Sequence, residues 1–218
     1  MAKEDITSYY EYDDASKVTV ATNSVTVTDA QIKNEYYVSK DKGAAHFSGN
    51  FTHTVAGKVT AVNPYWRGSF WGLAKTAADD FADIEALSGD CLFATFFTFY
   101  IPFIGIMEVV AGTRYGDNYS PDPNLSLDTW YYFVIWRDER VGDYGTLNCR
   151  IYSDESRCNL LDTLSLALHE KEDFRFIFAA NSWRSTMSKE TYSAMFKDLD
   201  LHEGVTPDWY YTRKRRIA

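Results

Sequence analysis

The sequence predicts an all-β domain: two antiparallel sheets packed as a sandwich, with little helix. Three observations carry that expectation. About a dozen short segments of β-branched and aromatic residues run along the chain, parted by turn signals at close intervals. Aromatic residues make up 17% of the 218, with Tyr 16, Phe 14 and Trp 6, and such side chains suit pleated, half-buried surfaces. Pro, at 5, is too scarce for a fibrous or disordered chain. At this length one domain suffices; residues 1–202 are assigned to it and 203–218 to a polar, basic C-terminal tail.

The elements follow in order. Lys17–Thr28 alternates Val18, Val20, Val25 and Val27 with threonines around Asn23-Ser24, the pattern of a hairpin or bent strand with one buried face. Glu35–Lys40 is a short strand closed by Asp41-Lys42-Gly43. His46–Val55 sets Phe47, Phe51 and Val55 near even spacing, with Gly49 as a bulge. Val59–Asn63 leads into the aromatic strand 65–73. Residues 74–90 lose strand character, while Ala77, Phe81, Ile84 and Leu87 fall at helical spacing, so a surface loop with one helical turn is expected. Cys91–Tyr100 and Ile104–Ala111 are apolar strands broken at Ile101-Pro102. Together they have the length of a membrane helix, but Pro102, Glu108 and the richness in Phe and Thr favour buried strands. Gly112–Asp128 reads as a loop with turns at Asn118 and Asp122-Pro123. Thr129–Arg137 and Thr146–Ser153 form a long hairpin. Ser156–Leu168 is a turn and an alternating strand, Phe174–Ala180 a strand, Asn181–Thr186 a loop carrying Trp183, and Tyr192–Leu201 the closing strand.

Charge narrows the partners. A net charge of -9 disfavours general nucleic-acid binding, which needs clustered cations. The one basic run, Arg213–Arg216, reads as a solvated tail or a docking segment. Three cysteines make no disulfide framework. Cys149 and Cys158 could face one another across a hairpin, yet all three are read as reduced and at least partly buried. Met1–Asp14 is polar and acidic, so no signal peptide is expected, and the localisation is left open between virion and cell surface.

The order of the second half is recognisable. TWYYFVIWRDE is followed by a turn and GTLNCRIYSDE, then a Leu-rich strand, FRFIFAANSW and YSAMFKDLDL. In the first half, YVSKDKG running on to FSGNF fits the same plan. This resembles concanavalin A-like (laminin G-like) jelly-roll domains over roughly Tyr9 to Leu201. The resemblance implies a two-sheet antiparallel jelly roll. Such domains include lectins, adhesins, glycosidases and virion or cell-surface structural proteins, and the fold does not choose among them.

The enzymatic branch that hydrolyses β-glucans carries a signature resembling Glu-x-Asp-x-Glu on one strand, since a retaining mechanism needs two neighbouring carboxyls. No strand here supplies it. Glu11 and Asp13 give two of three; Asp138 and Glu139 are adjacent; Asp80, Asp83 and Glu85 fall in a loop; Asp198 and Asp200 share a face of the closing strand. The four histidines lack metal-ligand spacing. The resemblance also implies a structural calcium ion held by hard oxygen ligands, with Asp41, Asp198 and Asp200 as candidates. Sugar sites combine an aromatic plate with directed polar groups. Trp66, Arg67, Tyr115, Asp117, Asn181 and Trp183, all near loops, are the candidate ligand residues; Trp66 and Trp71, five apart, should face opposite sides of one strand.

The sequence therefore predicts a non-catalytic, lectin-like domain that recognises a glycan or surface polymer. The alternative is a structural, decoration or tail component of a phage virion or cell-surface assembly, with self-association or neighbouring proteins as partners. A glycoside hydrolase is the least favoured reading.

Overall fold

A computed structural model of the chain describes residues 3–62, 66–76, 79–98, 102–119, 125–183 and 190–203; for residues 66, 98, 102 and 117–119 it describes the backbone alone. Among the described residues the strands form two antiparallel sheets of seven. The first sheet runs β1 (Tyr10–Asp13), β4 (Tyr36–Asp41), β13 (Phe176–Ser182), β6 (Trp66–Ala74), β7 (Cys91–Thr98), β8 (Pro102–Val110) and β9 (Thr113–Tyr119). The second runs β12 (Leu160–Ala167), β11 (Thr146–Tyr152), β10 (Tyr131–Asp138), β5 (Phe51–Val62), β14 (Thr191–Glu203), β3 (Ser24–Gln31) and β2 (Val18–Ala21). Some neighbours in each sheet come from distant parts of the chain: β14 lies between β3 and β5, and β13 between β4 and β6. This is the jelly-roll sandwich that the alternation and aromatic content anticipate.

The core lies between the sheets and is aromatic at its centre. Phe70 of β6 stacks on Phe133 of β10 at 4.4 Å, and Phe96 of β7 meets Phe196 of β14 at 6.2 Å. Burying each such ring contributes about 1.5–3 kcal/mol relative to exposure.

Two buried polar groups tie the ends of this core together. The guanidinium of Arg137, 1% exposed at the end of β10, donates to the carbonyls of Phe47, Gly49 and Glu172. It thereby pins the chain leading into β5 and into β13. Gly49 adopts φ 71, which presents its carbonyl to Arg137; it precedes β5 and is no bulge. His53 of β5 accepts from Trp71 Nε1 at 3.0 Å through Nδ1. Nε2 therefore carries the ring proton and donates to Glu203 at 3.0 Å.

Several expectations need correction. β1 and β9 are strands that the sequence did not suggest; β9 lies inside the expected loop Gly112–Asp128. It is an edge strand with β8 as its one neighbour in the sheet, so no second partner demanded an apolar pattern. The segments around Phe51 and Val59 are one continuous strand, β5. Asn181 and Ser182 belong to β13 rather than to a loop. Cys91 and Cys149 are buried and free, but Cys158 is free and exposed in the turn between β11 and β12. Among the described residues no helix is long and apolar enough to cross a membrane.

The expected surface loop over 74–90 packs on the sandwich instead. Helix α1 (Phe81–Ala86) starts at Asp80, whose carboxylate accepts from the Asp83 amide at 2.9 Å. Phe81 and Ile84 are buried, while Leu87 is 72% exposed and Ala77 lies outside the described residues. Phe81 stacks on Phe93 of β7 at 4.6 Å on the outer face of the first sheet. Gly72 permits this: a Cβ there would come within 2.3 Å of Phe81 Cζ.

Candidate functional site

Strand β13 builds one edge of the site through a bulge. Ile177 faces the core and Phe178 the outer face; the register then shifts between Phe178 and Ala180, and Ala179 and Ala180 both pack inward. The shift moves Asn181 and Trp183 to the outer face. Strict alternation would have sent both into the core with Ile177.

Trp183 is half-buried and joins the apolar cluster beside α1, 5.4 Å from Phe93. Two guanidinium groups lie against its ring. Arg67 of β6 is 5.7 Å from the ring centroid and also sits 4.7 Å over Phe97. Arg114 of β9 is 4.3 Å away. Arg114 donates through Nη2 to Glu85 Oε2 of α1 at 2.7 Å, and its Nε has no hydrogen-bond partner among the described residues. Side chains of Arg114 and Glu85 stay 30% and 25% exposed, so this arginine–tryptophan surface is open to solvent. An indole plate flanked by planar N–H donors can stack a sugar ring and fork its oxygens.

Asn181 and Tyr115 do not join it. Asn181 is fully buried; it accepts from the Phe81 amide at 3.2 Å and donates to the Asp79 carbonyl at 2.9 Å. Its role here is to hold the start of α1 on β13, not to face a ligand. Tyr115 neighbours Arg114 on β9 and so points to the opposite side. Its ring stacks on His169 at 3.9 Å, and His169 Nδ1 pairs with Glu108 at 3.0 Å. Burial pushes the Glu108 carboxyl up, against the opposing pull of hydrogen bonds from His169 and Glu170. The side chains of Trp66 and Asp117 lie outside the described residues, and so does the basic run 213–216. Trp71 is in the core. Of the site, sequence reasoning missed Arg114 and Glu85. The short alternation Thr113-Arg114-Tyr115 was their one signal, and it sits in a segment read as a loop.

The metal candidates are not brought together either. Asp41 belongs to the first sheet and is engaged by Arg175, whose hydrogen bond holds its carboxyl at about 2. Asp198 accepts from Lys3 at 2.7 Å and Asn23 at 3.2 Å, while Asp200 pairs with His202 at 3.2 Å. A register shift falls between Lys197 and Asp200, with Asp198 at φ 60, and the two carboxylates engage different partners. The acids that do converge are Glu35, Asp79 and Asp83, whose carboxylate oxygens lie within 4.8 Å of one another. Three oxygens at that spacing could hold a hard cation.

The outer face of the second sheet is also aromatic, but its rings are covered from within the chain. Trp136 and Tyr132 are 8% and 9% exposed, with Arg150 and Arg157 lying over them. Lys58 and Lys197 flank Trp130.

No protein-family model matches the chain, and no curated protein matches it. Solved structures do. The alginate lyase Aly36B is 12% identical with TM-score 0.61, over 92% of this chain and 88% of that one. A family 7 alginate lyase, A1-II', in complex with product is 14% identical with TM-score 0.50, over 88% and 82%. The exoplasmic/lumenal domain of VIP36 in a form bound to Ca2+ and mannose is 10% identical with TM-score 0.52, over 90% and 85%. At these identities the likeness speaks to the fold alone: the chain has the two-sheet antiparallel jelly-roll fold that these structures share. The same finding corrects the expectation of a non-enzyme. Enzymes that act on a polysaccharide share this architecture over nearly the whole chain. The missing carboxylate triplet bears on paired-carboxyl hydrolysis alone and does not extend to other chemistry on a glycan.

Proposed function

We propose that this chain is a glycan-recognising jelly roll that receives a polysaccharide on the outer face of its first sheet. The observation that carries this reading is Trp183 with the Arg67 and Arg114 guanidiniums at 5.7 and 4.3 Å from its ring, partly open to solvent. The ring supplies stacking area, and the arginines supply charged donors of fixed geometry. The likeness to proteins solved with alginate oligosaccharides and with mannose glycans supports a saccharide ligand. The likeness to alginate lyases extends the reading to an enzyme that acts on the polymer it binds.

Calorimetric titration with alginate tetrasaccharide and with a mannose oligosaccharide tests the site. Trp183→Ala is expected to weaken binding by about tenfold or more, the effect of losing roughly 1.4 kcal/mol of stacking and cation contact. Equal affinity in the variant and the parent would sink the site. Cleavage is followed separately, as ultraviolet absorbance of the unsaturated uronate end that an elimination leaves; demonstrated binding with no absorbance removes the enzymatic part. The calcium expectation moves to Glu35, Asp79 and Asp83. Calcium should raise the melting temperature of the parent and leave Asp79→Asn unaffected, and an unchanged parent rejects it.

A further inference from the structure

Arg114 is held on two sides. Its guanidinium lies 4.3 Å from the Trp183 ring centroid, and Glu85 takes its Nη2 at 2.7 Å. The second hold is incomplete. Arginine and a carboxylate favour two parallel N–H···O bonds, yet Glu85 makes one, through Nη2, and Nε of Arg114 is buried with no partner among the described residues. A carboxylate of this chain thus holds Nη2, a donor that a carboxylate from outside would also seek.

We infer that Glu85 is an internal competitor for the anionic group of the ligand, and that the ligand at Trp183 is an acidic saccharide carrying a carboxylate on its sugar ring. This rests on the binding site proposed above and names its ligand class. The local reason is the placement of α1. Asp80 caps it, Asn181 anchors its start and Phe81 plugs it onto Gly72 and Phe93. Those contacts fix the first turn and bring Glu85, in the second, to Arg114. A uronate stacked on Trp183 would offer its carboxylate to Nη2 of Arg114 in place of Glu85, and Glu85 would turn out to solvent, where its charge is readily hydrated. The exchange costs little, because a partly exposed ion pair is worth about 0.2–1 kcal/mol. A neutral saccharide has no group that displaces Glu85 and should be indifferent to it.

The alternative is that Glu85–Arg114 is a surface ion pair that only steadies α1. The two ideas predict opposite signs. Glu85→Gln keeps the shape and a hydrogen-bonding oxygen but removes the competing charge. Its affinity for alginate tetrasaccharide should rise about two- to fivefold, the span of a released exposed ion pair. Its affinity for a neutral mannose oligosaccharide should stay at the parental value. Arg114→Ala should abolish the difference between acidic and neutral probes. Acid affinity that is unchanged or weaker in Glu85→Gln overturns the inference, as does an equal gain for the neutral probe. Melting temperatures of each variant report whether α1 has stayed in place, and Glu85→Ala gives the same sign by a second route. The parent reading fails in a different arm: there Trp183→Ala binds as the parent does. Trp183→Ala losing binding while Glu85→Gln changes nothing rejects the competitor alone.

Discussion

Both ring nitrogens of His53 are engaged inside the sandwich, one by the Trp71 indole and one by Glu203. The imidazole is completely buried, and burial pulls its pKa below the ordinary 6.5 despite the opposing pull of Glu203. The unfolded chain therefore binds a proton at this site more readily than the folded one. The stability that His53 contributes is intact above pH 6.5 and is lost as pH falls below that value toward the folded pKa. Chemical denaturation across a pH series should show unfolding free energy dropping below pH 6.5 by up to about 1.4 kcal/mol per pH unit. His53→Gln should flatten that slope; a slope that persists in the variant points to another group. Glu108 has the opposite sign. Its pKa is raised, so its contribution is present below 4.5 and lost as pH climbs above that value toward the folded pKa. Arg137 is the other residue on which the core depends. Arg137→Lys keeps a charge but not the fork that reaches three carbonyls, and should cost about 2 kcal/mol or more in the denaturation midpoint. A midpoint within error of the parent would mean that water replaces the fork.

Two elements place the candidate site, and neither is a regular one. The bulge in β13 turns Trp183 outward, and α1 stands on the sheet face beside it and supplies Glu85. Because α1 has six residues, it has no stability of its own and depends on docking. Gly72 is the point at which that docking is most sensitive. Gly72→Ala would push a methyl into Phe81, whose ring lies 2.3 Å from the built Cβ. The expected cost is about 1–3 kcal/mol, the range for overpacking a tight contact. Proteolysis within residues 74–90 should speed up in this variant, and acidic-saccharide affinity should change because Glu85 moves. Parental resistance to protease would show that Phe81 re-seats without lifting the helix.

For the molecule as a whole, the charge of -9 sets a field that opposes an acidic polymer at long range. The arginines at Trp183 act at contact distance, where salt screens less. Association with alginate tetrasaccharide should accordingly speed up as ionic strength rises from about 0.01 to 0.15 M, while the Debye length shrinks from ~30 to ~8 Å. Stopped-flow rates that fall steadily over that range would place the ligand in a net positive field and count against this view. The sandwich itself should be insensitive to the same salt, since its core contacts are aromatic and buried.

How much of this was readable beforehand follows from the range of each interaction. Alternation of Val, Thr and aromatic residues is local, so the hairpin at Val18–Thr28, the Thr129–Ser153 hairpin and the all-β class could be read directly from the chain. The grouping of Arg67 with Trp183 was also within reach, because both stand where strands approach loops. Register is not local. The bulge that flips Trp183 outward exists only against β4, and the polar edge strand β9 becomes a strand only when β8 offers its open side. The same holds for charge: Asp41, Asp198 and Asp200 look like metal ligands until Arg175, Lys3, Asn23 and His202 are found beside them, while Glu35, Asp79 and Asp83 meet only after α1 docks. The sequence by itself thus determined the sandwich and most of its strands, β1 and β9 excepted, through period-2 patterning. Tertiary structure alone decided which face each site residue takes and which partner each charge meets, since both depend on pairings between residues far apart in the chain.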